Sequence, residues 1–148
     1  WEAGYAVDTL ETAIDWSGVN PLIESIEEGL RTGLEDEGEK VHVFTHLSHP
    51  YPQGSNIYTT FIFRLAEDPD ETLERWTTLK TAASLEILAH HATISHQHGV
   101  GLDHRQWLPE EKGELGMATL RDVCRRFDPE GLMNPGKLFA SEEPSSNE

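Results

Sequence analysis

Two strand-like segments separated by a turn place the strongest constraint on the fold of this chain. Residues 40–47 and 56–65 are rich in β-branched and aromatic residues that roughly alternate with polar ones. Pro50, Pro52 and Gly54 lie between them and are typical of a turn. The two segments are therefore predicted to pair as an antiparallel hairpin with an irregular loop.

Helices are predicted on either side of this hairpin. Three segments carry apolar residues at helical spacing: residues 21–33, 69–91 and 113–127. A strand over residues 5–13 precedes the first helix, which Asn20 caps and Pro21 begins. The order strand, helix, strand, strand, helix predicts an α+β fold, a ferredoxin-like antiparallel sheet with helices packed on one face.

The last helix is predicted to pack through four side chains: Leu115, Leu120, Val123 and Cys124. Cys124 is the single cysteine, so no intrachain disulfide can form and a packed thiol is expected. Residues 1–140 are predicted to form one domain, and residues 141–148 a disordered acidic tail. The chain opens on a Trp within a strand-like segment, so we interpret it as a fragment of a longer protein.

Charge and hydropathy exclude several classes of partner. The chain has 27 acidic and 11 basic residues and a net charge of −16, which disfavours nucleic acid as a partner. No apolar run approaches the roughly 20 residues that span a bilayer, so a soluble, cytoplasmic protein is predicted. The acidic segment at residues 35–39 is predicted to be a solvated loop.

The densest group of reactive side chains lies within residues 95–108. His96 and His98 precede Gly99 and Gly101, and these glycines would let the backbone approach a flat ligand closely. An imidazole can act as a base near neutral pH, and Arg105 could hold a phosphate or a carboxylate. The alternative interpretation is a polar loop in which the histidines only cap backbone groups.

Two motifs resemble a known family of flavoproteins. The run Ser-His-Gln-His-Gly-Val-Gly at residues 95–101, followed by Arg-Gln-Trp-Leu at 105–108, is similar to a segment of alkyldihydroxyacetonephosphate synthases. These are ether-lipid enzymes of the vanillyl-alcohol oxidase superfamily. Residues 128–138 resemble the terminal signature of FAD-linked oxidase C-terminal domains. The two motifs occur in the order that the family has.

The resemblance implies that the cofactor and the substrate are bound mainly by different domains. FAD would be held mainly by a separate N-terminal domain, and this chain would cover the flavin and shape the pocket of a small-molecule substrate. By matched position, Tyr58, His96 and His98 would be catalytic. Tyr58 would be the acid/base on the facing strand, and the two histidines would face the flavin and the substrate. The chain alone is then expected to be inactive, and a homodimer is possible.

Other family positions have weaker assignments. Gly99 and Gly101 would permit close approach to the cofactor, and Asn134 falls in the cofactor-binding signature, although Asn-Pro-Gly also makes a tight turn. Arg105 stands where the family has a lysine, and is interpreted as a substrate-binding or a surface residue. The resemblance leaves open whether the whole enzyme performs net oxidation or alkyl transfer, and which histidine is the base.

A metal site is predicted to be absent. In the branch of the family that uses D-2-hydroxy acids such as glycolate and D-lactate, a histidine and a glutamate bind a divalent metal. Here Tyr58 and Gln97 stand at those positions, and neither a phenol nor an amide is a good zinc ligand. The cap of such a metal-dependent dehydrogenase and a non-enzymatic ferredoxin-like module remain the alternatives.

A second set of histidines is interpreted as polar strand positions. His42 and His46 would share one face of a strand and His49 would fall on the other. No carboxylate is predicted to complete a ligand set with them.

Overall fold

The structure is a computed structural model, and it describes residues 2–139. The strands are β1 (Tyr5–Asp15), β2 (His42–His46) and β3 (Gly54–Arg64), and the helices are α1 (Trp16–Thr32), α2 (Pro69–Ala89) and α3 (Leu108–Phe127). The chain divides between His98 and Gly99 into two compact units. The single domain over residues 1–140 stays a prediction, and the tail at 141–148 lies outside the described residues.

The strands form one antiparallel sheet in the order β1-β3-β2. The predicted α+β fold and the predicted hairpin are confirmed, and the element order is that of the ferredoxin-like repeat up to its last strand. The register places Glu11 opposite Tyr58, and Tyr58 opposite His46. Because side chains alternate between the two faces of a sheet, these three residues share one face.

The opposite face of the sheet carries the core. Phe61 and Phe63 of β3 are buried there, as are Leu22 and Ile26 of α1, which lies against β2 and β3. The indole of Trp76 in α2 donates to Asp8 Oδ2 over 2.6 Å, which ties α2 to β1 on the same side. Both helices of the first unit therefore cover one face of the sheet and leave the other face for the residues described below.

Helix α1 begins earlier than the sequence predicts. It starts at Trp16, whose N–H donates to the Gln53 carbonyl over 3.1 Å, and Pro21 lies inside the helix rather than at its first position. A proline inside a helix removes one backbone hydrogen bond. The earlier start buries Val19, a contact that offsets this loss. The predicted end near Gly33 is confirmed.

The predicted buried side of α3 is wrong. Leu115, Val123 and Cys124 are exposed, and the buried side chains are Leu108 and Met117. The backbone of α3 is interrupted at Gly113, where φ is 66° and ψ is 174°. This break changes the direction of the helix, so one apolar stripe cannot be extrapolated across it. No helix within residues 2–139 is both long and apolar enough to cross a membrane.

The acidic segment after α1 is more than a solvated loop. Arg75 of α2 is buried, and its guanidinium lies 2.8 Å from Glu37 and 3.6 Å from Glu39. Arg75 also donates to the Arg64 carbonyl at the end of β3. The segment therefore docks on α2 through ion pairs that link residues distant in the chain.

Candidate functional site

A buried carboxylate organises the open face of the sheet. Glu11 projects from β1 and only 3% of its side chain is exposed. Its Oε1 lies 2.8 Å from His96 Nδ1 and accepts from Asn56 Nδ2 over 2.7 Å, and its Oε2 lies 3.1 Å from His98 Nε2. A third imidazole, that of His49, has Nδ1 3.7 Å from Oε1. One carboxylate thus contacts two histidines and one amide within hydrogen-bond distance, and His49 lies just beyond it.

A tight turn places the two histidines of the 95–101 motif on the same carboxylate. The N–H of His98 donates to the His96 carbonyl over 2.8 Å, and Gln97 between them has φ of 62°. A non-glycine residue in this region costs roughly 1–3 kcal/mol, and such strain is concentrated at functional sites. The N–H of His96 also donates to the Glu11 carbonyl, which anchors the turn along the edge of β1.

Asn56 secures the loop between β2 and β3. It is fully buried, and its Oδ1 accepts from the N–H groups of Ser48 and His49 over 2.9 and 2.8 Å. Its Nδ2 donates to Glu11 Oε1 and to Ser48 Oγ. Both ends of the amide are therefore satisfied, and the loop takes one position over the carboxylate.

Tyr58 lies beside this cluster on the same face. Its ring stacks on His46 with a centroid separation of 4.9 Å and meets the ring of His98 edge-on at 5.5 Å. The side chains of His96 and His98 are 16% and 34% exposed, so a ligand outside the unit can reach them. The structure thus brings together all three residues that the sequence analysis predicts to be catalytic.

The carboxylate is held in its charged form. Burial raises the pKa of Glu11, but hydrogen bonds from His96 and Asn56 and the charges of His96 and His98 outweigh it, so that the pKa lies below its ordinary value of 4.5. A charged carboxylate accepts hydrogen bonds only. Glu11 can therefore orient the imidazoles and stabilise a positive charge on them.

Comparison with known proteins identifies the family. The family model described as FAD linked oxidases, C-terminal domain, matches residues 1–138. The chain belongs to this family. The FAD-linked oxidase C-terminal domain accounts for nearly the whole chain, and the family resemblance predicted from the two motifs is confirmed.

The chain is similar to enzymes of two kinds. It is 28% identical to an alkyldihydroxyacetonephosphate synthase of Trypanosoma brucei brucei over 95% of this chain and 22% of that protein. It is 30% identical to a D-2-hydroxyglutarate dehydrogenase of Stutzerimonas stutzeri over 58% of this chain and 18% of the other. The chain therefore spans less than a quarter of the length of either relative.

A solved structure shows the same fold. The structure of an alkyldihydroxyacetonephosphate synthase superposes with a TM-score of 0.58 at 20% identity, covering 89% of this chain and 20% of that one. At this identity the likeness supports the fold of the FAD-linked oxidase C-terminal domain and no particular substrate.

The remaining predicted site residues lie in the second unit of the domain. Gly99 and Gly101 have φ values of 78° and 56°, a conformation that favours glycine, and a Cβ at either position would meet no heavy atom within 4 Å. Arg105 Nη1 donates to the Gly136 carbonyl over 2.6 Å. Asn134 is exposed, and its carbonyl accepts from the Lys137 N–H in the predicted turn. The predicted roles of the two glycines and Asn134 toward the cofactor, and of Arg105 toward the substrate, stay predictions.

The interpretation of the second histidine set is wrong for His49. Strand β2 ends at His46, so His49 lies in the following loop, and a carboxylate does approach it, namely Glu11 of β1. The donor atoms of Glu11, His49 and His96 all lie within 4.8 Å of one another. Glu11 also accepts hydrogen bonds from His96 and Asn56, and the Asn56 amide nitrogen lies 3.3 Å from His49 Nδ1. The absence of a metal stays a prediction.

Glu11 and Tyr51 are site residues that the sequence analysis does not find. Glu11 lies in an alternating strand pattern, where a polar residue indicates an exposed position. Tyr51 lies among turn residues, and its hydroxyl is 2.9 Å from His96 Nε2. A polar residue within a strand, followed far along the chain by two histidines, is too weak a pattern to predict contact.

Glu11→Gln is expected to destabilise the domain by about 1–3 kcal/mol at neutral pH, because the amide of Gln cannot accept from both imidazoles and Asn56 as the carboxylate does. The lowered pKa means that the Glu11 contribution is present above pH 4.5 and is lost as the pH falls through the folded-state value. Urea unfolding of the native protein and of Glu11→Gln, each at about pH 7 and about pH 3.5, measures the difference in their free energies of unfolding.

The exposed Glu28 of α1 supplies the control. Glu28→Gln is expected to change stability by less than about 0.5 kcal/mol. A Glu11→Gln deficit of equal size at both pH values would contradict the electrostatic account of Glu11.

Proposed function

We propose that this domain is the substrate-side cap of an FAD-dependent enzyme that acts on a hydroxy acid or a glycerone-phosphate-like compound. The observation that supports this most is the group formed by His96, His98 and Tyr58 beside the buried Glu11 carboxylate. Imidazole and phenol groups are suited to moving a proton, and the carboxylate compensates the charge that develops.

The site suits the reacting end of a flavin and not its phosphates. Helices α1 and α2 begin directly after Asp15 and Asp68, without a glycine-rich loop of the kind that cradles a dinucleotide pyrophosphate. The partly exposed rings of His96, His98 and Tyr58 offer edges and polar atoms to a planar group. FAD would therefore be held mainly by an N-terminal domain of the same protein.

The residues of this chain supply acid–base chemistry. When bound, FAD supplies the acceptor for a hydride from the substrate. An imidazole of the Glu11 cluster takes the hydroxyl proton, and Glu11 stabilises the resulting imidazolium. In an alkyl transfer without net oxidation the same groups move protons at the substrate. Arg105 is proposed to hold an anionic group of the substrate. The exposed apolar side chains of Leu115 and Val123 are available to another domain or to a second copy.

The alternative is a metal-dependent D-2-hydroxyacid dehydrogenase cap. The similarity to a D-2-hydroxyglutarate dehydrogenase and the proximity of Glu11, His49 and His96 favour it. Stoichiometric zinc or manganese in the purified flavoprotein would support this alternative over the metal-free cap.

The isolated chain is expected to be colourless and inactive, whereas the longer protein that contains it is expected to be yellow. Flavin absorbance of both after purification measures cofactor binding. Under anaerobic conditions, D-2-hydroxy acids should bleach the flavin of an oxidase, and a glycerone-phosphate ester with a fatty alcohol should give alkyl product without net bleaching. A yellow isolated chain, or a longer protein without flavin, would contradict the proposal.

A further inference from the structure

Tyr58 lies in the middle of a row of three side chains that crosses the open face of the sheet. Glu11 of β1 is directly opposite Tyr58 on one side, and His46 of β2 is directly opposite on the other. Side chains at directly opposite positions of an antiparallel pair are close enough to pack against each other. The phenol therefore lies between the carboxylate that contacts His96 and His98 and a further, exposed imidazole.

The ring of His46 is stacked on the ring of Tyr58. Their centroids are 4.9 Å apart and their planes meet at 29°. The ring of His98 is almost perpendicular to the Tyr58 ring, with a centroid separation of 5.5 Å and an angle of 80° between the planes. One imidazole thus covers a face of the phenol ring, and the other meets the ring in an edge contact.

These ring contacts set the direction of the Tyr58 hydroxyl. Within residues 2–139 this hydroxyl makes no hydrogen bond with the protein, so no polar partner fixes its position. A side chain in a strand has two common χ1 rotamers. A change from one rotamer to the other would move the phenol oxygen a long way, because that oxygen lies at the far end of the ring. The rotamer of Tyr58 therefore decides where its hydroxyl lies relative to the imidazoles beside Glu11.

The stack depends on an exposed residue at the end of a strand. His46 is the last residue of β2 and lies on the open face, so removal of its ring opens no cavity in the core. A surface pair of this kind contributes little to the stability of the domain. Its larger effect is on Tyr58, because removal of the His46 ring leaves one face of the phenol uncovered and gives the phenol room to turn.

We propose that His46 is a positioning residue, which holds the Tyr58 ring in the rotamer from which the phenol hydroxyl reaches the substrate. This inference rests on the proposed function, in which Tyr58 moves a proton. His46 exchanges no proton with the substrate in this role. An aromatic pair favours one arrangement by up to about tenfold, and the rate of a reaction depends steeply on where the reacting atoms lie.

Three variants of the longer flavoprotein that contains this chain test the role of His46 in catalysis. His46→Ala is expected to lower kcat by about tenfold and to leave KM and the bound flavin unchanged, because the substrate still binds while the phenol is misplaced. His46→Phe supplies another flat ring and is expected to keep kcat within about threefold of the native value. His42→Ala removes the exposed histidine at the other end of β2 and should keep the native rate.

The rates of these variants separate positioning from other roles of His46. A kcat of His46→Ala within about twofold of the native value would overturn the proposal. A His46→Phe enzyme as slow as His46→Ala would also overturn it, since the imidazole would then act through its nitrogen atoms and not through its flat ring. A raised KM with an unchanged kcat in His46→Ala would mean that His46 binds the substrate, and would equally contradict a positioning role.

Fluorine NMR of the same protein labelled with fluorotyrosine tests the stack without an activity assay. The Tyr58 signal is assigned by its loss in Tyr58→Phe. A ring that lies on the face of another shields it, so His46→Ala is expected to move the Tyr58 signal downfield. His42→Ala is expected to leave that signal in place. A Tyr58 signal at the same position in the native protein and in His46→Ala would overturn the proposal.

Failure of the proposed function would give a different result. A longer protein that binds no flavin, or whose flavin responds to none of the substrates, would contradict the proposed function. The fluorine signals would then decide by themselves whether His46 fixes the Tyr58 ring, because they depend on the stack and not on catalysis.

Discussion

Phe61→Ala is expected to lower the free energy of unfolding by about 3–5 kcal/mol. Phe61 lies in the central strand β3, opposite Asp8 of β1 and Val43 of β2, and its side chain is fully buried. Its ring centroid is 6.1 Å from that of Phe63. Truncation leaves a cavity between the sheet and α1 that rigid strands cannot close, and a loss of this size is a large part of the stability of a small domain.

Chemical denaturation measures this loss, and Phe44→Ala is the matched control. Phe44 lies in β2 on the open face of the same sheet and is 59% exposed. Its truncation is expected to cost less than about 0.5 kcal/mol, as for other surface substitutions. Equal losses in the two variants would show that α1 does not cover the face of the sheet that carries Phe61.

His96→Ala is expected to reduce kcat of the whole flavoprotein by about 10²–10⁴. The substitution removes the one ring that joins the surface hydroxyl of Tyr51 to the buried carboxylate of Glu11. Without that ring, the Glu11 carboxylate loses one of the two imidazoles that could take a proton from the substrate. Rapid mixing with substrate, followed at the flavin absorbance, separates this chemical step from product release.

An exposed histidine on the same sheet supplies the control for this experiment. His42 lies at the start of β2, away from the Glu11 cluster. His42→Ala is expected to keep the native rate. A His96→Ala rate within about threefold of the native one would mean that the chemistry lies on other residues.

Much of the fold could be predicted because it depends on local patterns. The strands predicted at 40–47 and 56–65 are observed at His42–His46 and Gly54–Arg64, since alternation and turn residues are short-range signals. The start of α1 and the buried side of α3 could not be predicted in this way. Burial of Val19 and the break at Gly113 decided them, and neither has a distinctive local sequence signal.

The sequence by itself determined the family, because the motif around His96 and His98 is contiguous. It also predicted a site from Tyr58, His96 and His98, and that site stays a prediction. Only the tertiary structure decided that Glu11 lies at the centre of the site. Glu11 and His96 are 85 residues apart, and their contact depends on how the segment after α2 runs along the edge of β1. Hydrogen bonds between such distant residues arise from packing, and a sequence read in short windows contains no sign of them.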